Sequence, residues 1–186
     1  MPFLALREAA AQGARSLLAH RQLLQRALTP PAVFPLVVVL TSVATEAVGL
    51  ALLALAVPWV GDGLTPWVLL LPLVILARVL LSLVLAWVVS VLNVFLRDLK
   101  QLLGLLLTLW FFATPILYPV SRVPEALHGL YAFNPFYHLV AAYRAVIVQG
   151  APPPAGFYGV LLGAALLTPL ALAFFNRAVE RAKDQL

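Results

Sequence analysis

The sequence predicts an all-α protein, a polytopic helical bundle embedded in a membrane. Apolar residues make up 63% of the 186 positions and charged residues only 10%, whereas an average soluble domain is about 25% charged. The apolar residues also gather in four long stretches separated by short polar or proline-rich segments. This composition excludes an ordinary soluble enzyme and a disordered protein. It also argues against nucleic-acid binding, because the net charge of +5 is spread thinly between uncharged runs.

Four stretches are long and apolar enough to cross a bilayer, for which a helix needs about 20 residues. They cover residues 35–57, 66–95, 102–118 and 157–175, and we expect each to be a transmembrane helix. Their Leu- and Ala-rich composition lacks the period-two alternation of a membrane β-barrel strand. We therefore expect one transmembrane domain over residues 1–186, with a cytoplasmic amphipathic region at 1–31 and an outer re-entrant segment at 119–150.

The amphipathic pattern of the N-terminal region lies in Ser16–Leu28. Leucines gather on one helical arc there, and cationic and amide side chains cover the other. Thr29-Pro30-Pro31 ends this helix. From these residues alone two interpretations remain open: a helix that lies on anionic lipid, or a helix that docks a cytoplasmic partner.

Cationic residues are distributed unevenly between the two sides of the predicted bundle. The N-terminal segment, the turn between the second and third stretches and the C-terminal tail together hold nine Arg and Lys residues. The opposite loops hold two, Arg122 and Arg144. Because cytoplasmic loops are enriched in Lys and Arg, we expect both termini and the Arg97–Lys100 turn to be cytoplasmic. Residues 60–65 and 119–156 then face outward.

Two charges interrupt the first two apolar stretches. Glu46 lies 12 residues before Pro58, and Arg78 lies 12 residues after Pro66. At about 1.5 Å rise per residue, both are about 18 Å below the hairpin that joins the two helices. We therefore expect Glu46 and Arg78 to form an ion pair near mid-bilayer, either as a structural clamp or as a polar point on a transport path.

The outer segment is too apolar for a solvated loop and too rich in proline to cross the membrane. We expect short re-entrant or interfacial helices, which must be buried in protein or line a cavity. Its aromatic residues form either an interfacial belt or a stacking surface for a sugar or lipid-linked substrate. Residues 93–100 are either a tight elbow or a second partner contact.

The sequence offers little for catalysis or metal binding. It has no cysteine, and its three histidines and seven acidic residues are scattered. A membrane enzyme acting on lipid-linked sugar would need an acid and a base on one face. The outer candidates Asp62, Glu125, His128 and His138 show no motif spacing, so we predict no catalytic residue and no metal site.

Four motifs in a fixed order give the chain a family resemblance. They are NVFLRDLKQ at 93–101, LWFFATPILYP at 109–119, VPEALHGLYAFNPF at 123–136 and YRAVIVQG at 143–150. With the amphipathic helix before the first span, this order closely resembles the permease subunits of ABC-2 type exporters. The closest resemblance is to the branch that exports polysaccharides and polyol phosphates, such as O-antigen, capsule and teichoic acid.

This resemblance implies a permease that pairs with a second copy and with a cytoplasmic ABC ATPase. It would move a lipid-linked glycan across the bacterial cytoplasmic membrane, and the sequence lacks a Walker-type phosphate loop of its own. ATP and Mg²⁺ would bind the partner, leaving this chain without a cofactor. By resemblance, the residues that contact the ATPase are Leu17, Leu18, Arg21, Gln22, Leu24, Gln25, Arg26, Arg97 and Asp98. Those of the channel and outer gate are Trp110, Phe111, Phe112, Pro115, Tyr118, Asn134, Pro135, Tyr137 and Arg144.

The number of spans departs from this family, whose members resemble six-span proteins. With four predicted spans, the chain is expected to begin near the end of the family's second one, as a truncated or mis-started form. Two alternatives to glycan export follow: the same exporter fold with another cargo, such as a drug, haem or lipid, or a fragment that transports nothing by itself.

Overall fold

A computed structural model describes residues 2–20, 22, 29–60, 65–96, 98–116 and 128–182. These residues form seven α-helices and one 3-10 helix, and they contain no β-strand. In chain order the α-helices are α1 (Pro2–Ala19), α2 (Val33–Val60), α3 (Leu71–Phe95), α4 (Leu99–Ala113), α5 (His128–Ala132), α6 (Pro135–Ile147) and α7 (Ala155–Ala182). The 3-10 helix, Pro66–Leu70, leads directly into α3.

Three of these helical segments are long and apolar enough to cross a membrane. They are Val33–Leu55, Pro66–Phe95 and Ala155–Arg181. Their large exposed side chains are mainly Leu, Val and Phe, which suits contact with lipid tails. The fold is therefore the predicted all-α membrane bundle, and the protein is a multi-pass membrane protein.

The predicted third span, residues 102–118, differs from the structure in length. Its helix, α4, has 15 residues and is about 22 Å long, whereas the hydrocarbon core of a bilayer is about 30 Å thick. It ends because Thr114 takes an extended conformation and the next residue, Pro115, cannot donate a backbone hydrogen bond. Residues 117 and 118 lie outside the described part of the chain, so four full spans are not established.

Helix α1 differs most from expectation. Residues 1–31 were predicted as a cytoplasmic amphipathic region with a helix at Ser16–Leu28. The described helix runs over Pro2–Ala19 and packs against α2 and α3. Residues 21 and 23–28 of the predicted helix lie outside the described part of the chain. The packed face of α1 is made mostly of small residues, and Gly13 lies so near Ala86 that an added Cβ would be 2.9 Å from the Ala86 Cβ. Small residues allow this close helix approach. The Asn93 Nδ2 also donates a 2.8 Å hydrogen bond to the Ala14 carbonyl.

The bundle has two ends, which we name the Pro66 end and the Asn93 end after the residues of the Pro66–Phe95 segment found there. Helix α1 runs in the same direction as α3. Near the Pro66 end, Phe3 and Leu6 share a core with Val74 and Phe136. Toward the Asn93 end, Ala9 and Leu17 share a second core with other buried residues, including Val39, Ala86, Trp87 and Phe175.

The predicted segment 119–150 contains a short buried helix, α6, at the Pro66 end. One of its faces enters the core through Phe136, Leu139, Tyr143 and Val146. The turn after the helix contains Gly150, whose φ of +57° is left-handed, and the Ala151 amide donates a 2.9 Å bond back to the Ala145 carbonyl. Glycine tolerates this conformation readily. The structure therefore shows that α6 is a short helix packed among the long ones.

Candidate functional site

A buried polar cluster joins three helices in the middle of the bundle. We call Ser42, Glu46, Arg78 and Tyr143 the central cluster. Arg78 Nη2 lies 2.5 Å from Glu46 Oε2, and Arg78 Nη1 donates a 2.8 Å hydrogen bond to Ser42 Oγ. The Tyr143 hydroxyl donates a 2.8 Å bond to the other carboxylate oxygen, Glu46 Oε1. The structure thus brings together the two charges whose pairing the sequence predicts.

The burial of this cluster explains why it is so well connected. Glu46 is 2% exposed and Arg78 is fully buried. A lone charge in such surroundings is strongly destabilising, so buried charges are paired and hydrogen-bonded. Both oxygens of the Glu46 carboxylate receive a donor, whereas Arg78 Nε and the nearby Ser82 Oγ are buried without a partner among the described residues. The cluster therefore makes one well-paired polar point inside an apolar bundle.

Sequence reasoning missed Ser42 and Tyr143. Ser42 lies one helical turn before Glu46 on α2, so it shares the face that carries the carboxylate. Tyr143 lies on the buried face of α6, seven residues after the buried Phe136. Helical periodicity within 135–147 could have placed Tyr143 in the core, although periodicity could not have chosen Glu46 as its partner.

A second polar cluster fixes the start of α6. We call Trp110, Thr114 and Asn134 the capping cluster. The Asn134 side-chain oxygen accepts a 3.0 Å bond from the Phe136 amide, which caps the helix, and a 3.1 Å bond from Trp110 Nε1. Its Nδ2 donates a 2.9 Å bond to Thr114 Oγ1. One side chain therefore both caps α6 and ties it to the end of α4.

The three consecutive aromatic residues predicted to line a channel point in different directions. Trp110 joins the capping cluster, and Phe111 packs on Phe3 with ring centroids 5.1 Å apart. Phe112 is 62% exposed and shares the outer surface of α4 with other exposed apolar residues such as Leu105 and Leu109. Successive residues on a helix are about 100° apart, so all three cannot line one surface.

The remaining predicted gate residues surround α6. Asn134 and Pro135 line a groove of about 550 Å³ together with Trp110 and Phe133. Pro115 is buried, and Tyr137 makes ring contacts with Tyr131 and His138. Arg144 donates a 3.3 Å bond to the Ile116 carbonyl. Tyr118 lies outside the described residues.

The residues predicted to contact an ATPase are only partly described. Leu17 is fully buried in the bundle, where it stabilises α1 and presents no surface to a partner. Leu18 and Gln22 are exposed, as is Asp98 at the start of α4. These exposed residues remain candidates for a contact. Arg21, Leu24, Gln25, Arg26 and Arg97 lie outside the described part of the chain.

Neither cluster has the composition of a metal site. Within the described ranges, no group of three or more His, Cys, Asp or Glu residues could hold a metal ion. The two clusters instead have a structural effect, because each of them anchors the short helix α6 against neighbouring helices. The central cluster fixes the middle of α6 and the capping cluster fixes its beginning.

Comparisons with known proteins point to one family. Residues 12–148 match the ABC-2 type transporter family. The chain is 34% identical to an O-antigen export system permease protein RfbA of Myxococcus xanthus over 145 residues, which are 77% of this chain and 56% of that protein. It is 29% identical to an O-antigen export system permease protein RfbA of Klebsiella pneumoniae over 122 residues, 64% of this chain and 47% of that protein.

The chain spans about half the length of the curated relatives that it matches. The family match nevertheless covers most of the chain, including the central cluster, α4 and α6. On this evidence of sequence and fold, the chain belongs to the ABC-2 type transporter family.

Proposed function

We propose that this protein is a permease subunit of an ATP-driven exporter that moves a lipid-linked polysaccharide or polyol phosphate across a membrane. The observation that carries the proposal is the 34% identity to an O-antigen export permease over 77% of the chain. The family match over residues 12–148 supports the transporter class. The apolar bundle supports the membrane setting.

In this proposal ATP hydrolysis belongs to a separate cytoplasmic ABC ATPase. The chain binds no cofactor of its own, and ATP and Mg²⁺ bind the partner. A second copy of the permease completes the path for the glycan. The excess of cationic residues in the terminal segments and the 97–100 turn supports an inner-membrane orientation with both termini in the cytoplasm.

The two polar clusters acquire a role in this scheme. Helix α6 and the groove beside Trp110, Phe133 and Asn134 form the outer gate. Phe133 is 90% exposed and offers a ring on which a sugar face can stack. The central cluster ties this gate to α2 and α3, so a movement of the long helices reaches α6 through Glu46 and Tyr143. The Asn93 end, with Gln22 and Asp98, meets the ATPase.

The ATPase rate of a reconstituted complex tests this proposal. The permease is co-expressed with the ABC ATPase whose gene lies nearest, purified through the permease, and placed in lipid nanodiscs. We expect the ATPase to co-elute, and a purified lipid-linked O-antigen to raise its rate above the rate in lipid alone. Stimulation by a hydrophobic drug or haem and not by the glycan would assign another cargo. Absence of co-elution would contradict the permease assignment.

A further inference from the structure

The exposed surface of α1 differs from that of every other long helix. The exposed positions on α2, α4 and α7 carry mainly apolar side chains, among them Leu40, Leu52, Leu105, Leu109, Leu166 and Leu170. The exposed positions on α1 instead include Arg7, Gln12 and Arg15, with the partly exposed Glu8 between them. We call these four residues the α1 stripe. Apolar residues flank the stripe at both ends, at Leu4 and Leu18.

The order of charged and apolar side chains along α1 is the reverse of that on a helix that faces lipid. Such a helix is apolar at its centre and carries its charges near the ends, where long side chains can reach the interface. On α1 the charges occupy the centre and the leucines the ends.

The α1 stripe runs from the level of the middle of the Pro66–Phe95 segment toward the Asn93 end. Gly13 touches Ala86, and Phe3 and Leu6 share a core with Val74 and Ala77. Since α1 and α3 run in the same direction, Arg7 and Glu8 lie level with the middle of the 30-residue Pro66–Phe95 segment. Arg15 lies about 12 Å further along the helix axis, toward the Asn93 end. The carbonyl of Ala14, which precedes Arg15, accepts the bond from Asn93 near the end of α3. Arg7 is therefore the arginine that lies level with the middle of the segment, where lipid is a poor environment for a charge.

The charges of the stripe are not neutralised within the bundle. The only ion pair among the described residues is that between Glu46 and Arg78. Gln12 Nε2 donates a 2.9 Å bond to Glu8 Oε1, which partly satisfies the one acid. The two guanidinium groups leave the stripe with a net positive charge. Charged side chains at membrane depth face a bundle interior or a water-filled cavity, and they mark substrate pathways.

We propose that the α1 stripe lines a polar path through the membrane and binds the phosphate group of the lipid-linked cargo. This inference rests on the proposed function and names the part of the cargo that is recognised. Guanidinium groups bind phosphate oxygens through two parallel charge-assisted hydrogen bonds. A phosphate that joins a glycan to its lipid, or that recurs along a polyol phosphate, complements the charge of Arg7 and Arg15. Their separation provides two successive positions for it.

Thiol labelling tests whether the stripe is in water. The chain has no native cysteine, so a single introduced cysteine reports on one position. Gln12→Cys is compared in nanodiscs of neutral lipid with Leu166→Cys on the apolar surface of α7 and with the exposed Gln22→Cys. A thiol reacts as its thiolate, which an apolar environment disfavours, so with a charged methanethiosulfonate we expect Gln12→Cys to react at least about tenfold faster than Leu166→Cys. A rate equal to that of Leu166→Cys overturns the proposal.

Protection of the introduced cysteine from labelling tests whether the stripe binds phosphate. In the Gln12→Cys background, a long-chain polyprenyl phosphate should slow the reaction, and the matching uncharged polyprenol should not. Adding Arg7→Gln or Arg15→Gln should weaken the protection by about tenfold, since each removes a charge-assisted contact. Arg7→Lys should restore part of it. The control Arg181→Gln, on the exposed surface at the end of α7, should leave protection unchanged.

The outcomes separate this inference from the proposed function. Equal protection by polyprenol, or protection that survives both Arg→Gln changes, overturns phosphate binding at the stripe. If the glycan still stimulates the ATPase in that case, the permease assignment stands and only the stripe's role falls. If the stripe is labelled and phosphate-protected but the glycan has no effect on ATPase rate, the polar path stands and glycan export falls.

Discussion

The Tyr143 hydroxyl donates a 2.8 Å hydrogen bond to Glu46 Oε1 across 97 positions of the chain. Glu46 is at the same time paired with Arg78 through its other carboxylate oxygen. One carboxylate therefore links α2 to α3 and also to α6. Because α6 does not cross the bundle, its position depends on such contacts.

Removing one partner of the ion pair should be more harmful than exchanging both. Arg78→Met leaves the Glu46 carboxylate buried and unpaired, and Glu46→Leu does the same to Arg78. We expect each to lower the free energy of unfolding by about 3–5 kcal/mol. The exchange Glu46→Arg with Arg78→Glu keeps a pair and should recover part of the loss. The thermal midpoint of the detergent-solubilised protein measures this, and a double exchange no better than either single variant would show that the pair is not the source of stability.

Tyr143→Phe should loosen α6 without changing its shape. The substitution removes only the hydroxyl that donates to Glu46, and leaving a buried acceptor without its donor costs about 1–3 kcal/mol. The control is Tyr137→Phe, which keeps the ring contacts with Tyr131 and His138 and should have a smaller effect. Thermal midpoints of the two variants compare them directly. Equal midpoints would mean that the Tyr143 hydroxyl does not anchor α6.

Asn134 combines two tasks that substitutions can separate. Asn134→Ala removes the helix cap and both bonds to α4, and we expect a loss of at least about 0.5–2 kcal/mol from the cap alone. Asn134→Ser can still cap the Phe136 amide but is too short to reach both Trp110 and Thr114. Its stability should fall between wild type and Asn134→Ala, as measured by thermal midpoint. If Asn134→Ser equals wild type, the bonds to Trp110 and Thr114 contribute nothing.

The contact of Gly13 with Ala86 should be intolerant of a single methyl group. An added Cβ would be 2.9 Å from the Ala86 Cβ, so Gly13→Ala should cost about 1–3 kcal/mol by overpacking, despite the better helix propensity of alanine. Gly104→Ala is the matched control, because nothing lies within 4 Å of its added Cβ, and it should be neutral or stabilising. Adding Ala86→Gly to Gly13→Ala should restore part of the loss. A Gly13→Ala variant as stable as Gly104→Ala would contradict the close packing of α1.

The sequence predicts the parts of this fold that depend on long apolar runs and on regular spacing. The contact of Glu46 with Arg78 follows from their equal distance to one hairpin, and the helical bundle follows from composition. Helix α1 was missed as a bundle helix because Arg7, Glu8 and Arg15 interrupt its apolar residues, so no hydropathy window marks it. Its face of small residues packs against α2 and α3. The sequence of α1 alone does not identify these partner helices.

The two polar clusters show the other limit of sequence reasoning. Asn134 was predicted as a gate residue, but its bonds to Trp110 and Thr114 join positions 24 and 20 residues apart and depend on where α4 ends. The family resemblance implied that Trp110, Phe111 and Phe112 all belong to the channel and outer gate. Helical rotation sends them to a hydrogen bond, the core and the outer surface. In each case the residue type indicated a role, but only the fold shows where each side chain points.

Surface glycan on living cells tests the central claim most directly. A strain that makes a lipid-linked O-antigen but lacks its own permease receives this protein together with its ABC ATPase, and surface O-antigen is quantified by antibody binding. We expect surface glycan in cells with both proteins, and none with the permease alone or with a hydrolysis-deficient ATPase. If the permease reaches the membrane with an active ATPase and the glycan stays inside, the protein is not a glycan-export permease.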